Sequence, residues 1–192
     1  MKHLVLFIAL VIGANTFIAD YATDQKPDMA KMTKLTSPGE NHAVLKDLVG
    51  NWKATSKFWM DANAKPEESK GTQSNKLIMG GRFLETNHKG TAMGKPVTGV
   101  GYLGYDNVRG EYQSVWIDNM TTSIMNSTGT YDTSTKTLTE NGTGSCPMTG
   151  DKNKTFRGVW TFTDKAHYTY AMVTKGNDGN EYKALEITYA KK

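Results

Sequence analysis

Residues 154–175 read KTFRGVWTFTDKAHYTYAMVTK, and this stretch settles the kind of fold. Side chains alternate across it: Phe156, Gly158, Trp160 and Phe162 share one face, and Tyr168, Tyr170 and Met172 share one face of the next segment. A period of two belongs to β-strands, because successive side chains there point to opposite sides of the sheet. Asp164-Lys165 interrupts the pattern as a turn, so the stretch is a hairpin. Working outward, the same grammar repeats from Gly50 onward: segments rich in Thr, Tyr, Trp and Val, parted by Asp61 to Pro66, Gly80-Gly81, Asp106-Asn107, Asp132 to Lys136, Asp151 to Asn153 and Gly176 to Gly179. It predicts ten strands, near 51–60, 69–79, 82–90, 96–105, 110–118, 122–131, 136–145, 154–163, 166–175 and 181–190. Short turns make neighbours antiparallel, and no further helical segment is present to cover a sheet. The expected fold is therefore an all-β, antiparallel up-and-down barrel of about ten strands, since closure removes the exposed edges.

A short helix should precede the first strand. Ser37 followed by Glu40 has the spacing of a capping box, with Pro38 at the first helical position. Ala43, Val44, Leu45, Leu48 and Val49 then give one apolar face, and Gly50 ends the helix. Before it, Lys2 and the apolar run Leu4 to Ile12 read as an export signal over residues 1–19, with an uncertain cleavage point. Residues 20–36 read as a flexible polar linker, and 37–192 as the barrel domain. The expected location is outside the cytoplasm, periplasmic or secreted, with no stable membrane insertion once the signal is removed.

Composition narrows the function classes. The 192 residues are 38% hydrophobic and 22% charged, the balance of a globular chain. The 23 Lys and Arg are scattered among 19 acids and form no run of five or six, so nucleic acid is not an expected partner. Cys146 is the one cysteine, which excludes an internal disulfide.

Several motifs lie in order along the chain: Leu48-Val49-Gly50-Asn51-Trp52, Met79-Gly80-Gly81-Arg82-Phe83, Gly104-Tyr105-Asp106, Trp116-Ile117-Asp118, Gly129-Thr130-Tyr131 and Leu185-Glu186-Ile187-Thr188-Tyr189. Over residues 40–190 they resemble the bacterial family known as domain of unknown function 1579. Gly50-Asn51-Trp52 after a helix also resembles the G-x-W element of the calycin superfamily. The resemblance implies a lipocalin-like barrel, with Trp52 packed over a closed end. A related branch, the nitrobindins, binds haem through a histidine near the carboxy end; Glu181 to Lys192 holds no histidine, and no cofactor is expected.

Candidate chemistry is sparse. Gly99-Val-Gly101-Tyr-Leu-Gly104 satisfies G-x-G-x-x-G but falls within a strand, where barrel curvature explains the glycines better than a nucleotide does. His42, His88 and His167 lack the spacing of a metal site, and His167 is the first of them to test. No serine stands in a nucleophile elbow and Cys146 has no nearby base. Four Asn-x-Thr/Ser triplets, beginning at Asn119, Asn126, Asn141 and Asn153, read as polar barrel surface.

Alternation supplies the candidate ligand site. Tyr112, Trp116 and Asp118 share a face on the fifth strand; with Phe156, Trp160, Tyr170 and Met172 they would line the lumen. The expected function is to enclose a small apolar or amphipathic molecule, with Asp118 orienting its polar end. A carboxylate turned inward needs a cation or several donors, for which Arg82 and Arg157 are the candidate cations. Two alternatives stay open. One is a structural or interaction barrel with a filled lumen, in which Trp59, Val115 and Ile117 form a partner or homodimer patch; the other is a calycin-type enzyme using Asp118 as acid or base.

Overall fold

A computed structural model describes residues 28–192. The export signal read over 1–19 and the first part of the linker lie outside them. Two units are distinguished, Met1–Lys34 and Leu35–Lys192. Helix α1, Met29–Thr36, begins in the first, within the segment read as a linker. Its start has a clear cause: the Asp28 carboxylate accepts the backbone N–H groups of Ala30 and Lys31, which no preceding turn can satisfy.

Ahead of the first strand lies a short helical passage, broken into two pieces. The chain stays extended at Gly39, winds a single 3-10 turn over Glu40–His42 and continues as α2, Ala43–Asp47. Ser37 is not the cap. The role passes to His42, whose Nδ1 accepts the Gly39 N–H at 3.1 Å. Burial of that ring lowers the His42 pKa, which suits an acceptor nitrogen.

Ten antiparallel strands follow: β1 Gly50–Phe58, β2 Glu67–Ile78, β3 Phe83–Ala92, β4 Lys95–Asp106, β5 Glu111–Asp118, β6 Met125–Asp132, β7 Thr137–Cys146, β8 Asp151–Asp164, β9 His167–Lys175 and β10 Glu181–Lys191. Each pairs with its neighbours in sequence, and β1 pairs with β10 from Trp52↔Lys191 to Phe58↔Leu185, closing the barrel. The expected architecture is therefore the observed one. Turn chemistry between strands is local: Asp106 accepts the N–H groups of Val108 and Arg109, and Gly110 takes the positive φ of 71° that lets β5 return.

Closure gives the barrel two unlike ends. Strand β1 starts at the floor end, where Val44, Leu45 and Leu48 of the helical passage pack against Trp52, Leu84, Leu103, Tyr112, Leu138, Tyr168 and Tyr189. Leu45, Leu48, Trp52, Leu84 and Leu138 are fully buried. The Trp52 indole donates to Leu48 O at 2.9 Å and meets the Tyr168 ring edge-on, with centroids 4.7 Å apart. Helix and barrel thus supply each other's missing partner, since neither a helix of this length nor an open barrel end is stable alone.

Strand order separates Trp59 from the two residues that the sequence grouped with it. Trp59 follows β1, whereas Val115 and Ile117 lie on β5, with β2, β3 and β4 between them. They do not make one patch, and Trp59 is covered by the Lys183 ammonium 5.0 Å from its ring.

Candidate functional site

Above the floor, inward-facing side chains keep part of their surface accessible. Ser56, Phe58, His88, Trp116, Asp118, Phe156 and Met172 are all partly exposed, although strand alternation turns them into the lumen. The floor residues Trp52, Leu84, Leu138 and Tyr168 are 0–2% exposed. The interior is therefore packed at the floor and reachable from the mouth.

The reason is a pairing of rings with glycines. A Cβ on Gly99 would fall 2.2 Å from the Trp116 ring, one on Gly142 would fall 2.4 Å from Phe156, and one on Gly90 would fall 2.9 Å from the His88 ring. These rings lie along the wall, in the space a neighbouring side chain would fill, instead of projecting across the lumen. Glycine in a barrel strand serves this close approach. It gives the G-x-G-x-x-G stretch its explanation: Gly99 and Gly101 seat Trp116, while Gly104 seats Phe83 on the outer face.

Trp116 and Asp118 form the mouth. The indole donates to Asp118 Oδ2 at 2.9 Å, and Asp118 Oδ1 accepts the backbone N–H groups of Met120 and Thr121, closing the turn after β5. Donors, not a cation, hold this carboxylate. Arg82 instead reaches Thr36 O and Met79 O, and Arg157 pairs with Glu181 on the outer wall. His88 sits across from Trp116, ring centroids 6.5 Å apart, and its burial lowers its pKa. It forms no hydrogen bond among the described residues. His167, the histidine the sequence reading put first, is exposed and held by Asp164.

Between mouth and floor lies a buried polar group. Glu140 is 5% exposed; its Oε2 accepts the hydroxyls of Ser127 at 2.8 Å and Ser114 at 3.1 Å, and Tyr170 donates to the same carboxylate. Burial, followed by the negative charge of Glu140, raises the Tyr170 pKa well above its ordinary value. Glu140 lies opposite Gly158, one rung from the Leu138↔Trp160 pair. Two buried atoms nearby or below lack a partner among the described residues: Trp160 Nε1 and Asn75 Oδ1.

The sequence-predicted residues therefore divide. Trp116, Asp118, Phe156 and Met172 face the accessible half, with Trp160 and Tyr170 at its lower limit. Tyr112 does not join them. It is 3% exposed and its hydroxyl donates to Asn41 O at 2.6 Å, fastening the floor to the helical passage. Leu185, Ile187 and Tyr189 oppose Met172, Tyr170 and Tyr168, which leaves Glu186 on the outside beside Lys183. His88 and Glu140 were not singled out as lumen residues, yet the signal was present: each shares a face with a buried leucine, Leu84 and Leu138. Two open grooves on the outer wall, of about 500 and 430 Å³, are lined mostly by outward Asn, Thr and charged side chains, and the first also touches Ser127 and Phe156.

The floor tyrosines carry a pH prediction. Burial, then the neighbouring Tyr105 and Tyr131, pushes Tyr112 up to about 12, and Tyr168 and Tyr189 are raised mainly by burial. A raised folded-state value contributes stability that is complete below the unfolded tyrosine pKa near 10 and is lost as pH climbs through the folded value. The thermal midpoint should hold up to about pH 10 and fall steeply towards about 12. Equal midpoints at the two pH values would contradict this.

Comparison with known proteins places the chain by fold and family. No curated protein matches it. Rv2717c from M. tuberculosis is similar in structure at a TM-score of 0.61 and 17% identity, over 81% of this chain and 99% of that one. A redesigned β-barrel, mFAP1, bound to DFHBI, is similar at a TM-score of 0.41 and 21% identity, over 77% and 98% of the two chains. Residues 37–191, from the helical passage to the last strand, match a single family profile, and the chain belongs to the family described as Protein of unknown function (DUF1579).

Proposed function

We propose that this protein is an exported, lipocalin-like member of the calycin superfamily that carries a small apolar or amphipathic molecule in the accessible half of its barrel, in the periplasm or after secretion. The observation that carries the reading is the arrangement of Trp116, Phe156 and His88 flat against glycines, which leaves inward-facing apolar surface in contact with solvent. Such surface is the usual lining of a ligand pocket. Met172 adds an adaptable thioether, and Trp160 and Tyr170 form the base. A ligand burying about 400 Å² of apolar area would gain on the order of 10 kcal/mol, from which association costs of at least about 4 kcal/mol leave at most about 6 kcal/mol, an affinity of tens of micromolar or weaker.

Native mass spectrometry of protein purified from its own cells should show a retained molecule. A neutral fluorescent probe, N-phenyl-1-naphthylamine, should bind with enhanced emission, and Met172→Trp, which fills the lumen, should weaken it at least tenfold. An empty barrel that also ignores the probe would remove the reading.

A further inference from the structure

We propose that the carried molecule bears a cationic nitrogen, an alkylammonium head held at Glu140, with its apolar tail directed to the mouth; this rests on the carrier reading above. Between the rim and the floor, the charge inside the wall is acidic. Taking every second residue from the observed pairings, the charged side chains turned inward between rim and floor among the described residues are Asp118 and Glu140; Glu67, Lys95 and Lys154, the last held by Lys175 O, stand at the rim, and Lys191 lies over Trp52 at the floor end. The arginines are engaged elsewhere: Arg82 on backbone carbonyls, Arg109 beside Asp106 and Glu111, and Arg157 on Glu181. Asp118 lies partly exposed at the mouth, where it accepts one indole and two backbone donors.

Glu140 is different. Its partners are three hydroxyls, which orient the carboxylate without neutralising it, and Ser114 and Ser127 are also bonded to each other at 2.6 Å. A carboxylate withdrawn from water is costly unless a cation joins it. No cation among the described residues does so, and Glu140 faces the lumen. The residues beside it suit an ammonium. Trp160 and Tyr170, whose ring centroids are 4.7 Å apart, stand next to Glu140, and Trp116 and Phe156 lie above; aromatic faces attract cations. Below the rim lysines the same interior opposes an anionic head, which would meet two carboxylates. The chain as a whole carries a formal +4, so the acidity of the lumen is not a reflection of overall composition.

Three probes of equal tail length test this on the full chain at pH 7: dodecylamine, dodecanol and dodecanoate, each below its micelle concentration, displacing N-phenyl-1-naphthylamine. Dodecylamine should compete at least tenfold better than dodecanol, and dodecanoate worst. Glu140→Gln, which keeps the shape and the serine contacts, should bring dodecylamine to within about threefold of dodecanol and leave dodecanol unchanged, with circular dichroism verifying the fold. Equal competition by amine and alcohol in the unaltered protein would overturn the cationic head while leaving the carrier intact, and needs no variant. A preference that survives Glu140→Gln would overturn the assignment to Glu140. Failure of all three probes, together with failure of the naphthylamine to bind, would remove the carrier reading itself.

Discussion

Replacing Trp52 by alanine should destabilise the protein by about 3–5 kcal/mol, the cost of deleting a large buried aromatic. For a domain of this size that is a fall in thermal midpoint on the order of 10 °C. The side chain is fully buried, lies edge-on to Tyr168, donates to Leu48 O and carries the Lys191 ammonium 5.3 Å above its ring. Its removal opens a cavity where the helical passage seals the floor, and the surrounding rings are too interlocked to close it. Trp52→Phe separates the contributions. It keeps much of the volume, and Leu48 O still accepts the Asn75 amide at 2.8 Å, so the loss should be nearer 1 kcal/mol. Thermal denaturation of both variants checks the pair; a Trp52→Ala midpoint within 3 °C of the parent would show that the floor does not depend on this ring.

Gly129→Ala should cost about 3 kcal/mol, although it adds one methyl group. The new carbon would fall 2.3 Å from the Thr139 carbonyl oxygen and 2.9 Å from Glu140 Cα, both backbone atoms of β7. Only separation of β6 from β7 relieves that contact, and the Gly129↔Glu140 pair lies within their ladder. The informative comparison is Gly99→Ala. Its clash is shorter, 2.2 Å, but it is with the Trp116 ring, which can swing into the accessible lumen. Gly99→Ala should therefore lose less than about 1.5 kcal/mol in chemical denaturation while weakening probe binding, because the displaced ring occupies the pocket. Equal losses for the two variants would mean that Trp116 has no space to move into.

The candidate site was legible in the sequence only as far as alternation reaches. The hairpin over 154–175 placed Phe156, Trp160, Tyr170 and Met172 on the inner wall, and the fifth strand did the same for Trp116 and Asp118. Alternation gives a face but not a height. Tyr112 shares its face with Trp116 yet lies four residues nearer the floor, where it is a strut to Asn41. The partner of Asp118 was misread for a related reason: charge suggested an arginine, whereas the nearest donors were the indole two residues back and the amides of the next turn. Helix boundaries were lost to a competing bond, since the His42 ring satisfies the Gly39 N–H in place of a serine cap.

By itself the sequence determined the ten strands and their antiparallel order, because period-two patterning and turn residues act over a few neighbours and need no distant partner. Tertiary structure alone decided the register in which β10 meets β1, that rings settle over glycines, and that Glu140 is buried among Ser114, Ser127 and Tyr170. Those contacts join residues up to 139 positions apart in the chain, and their geometry is fixed by the stagger of a closed sheet, a property that no local stretch of sequence contains.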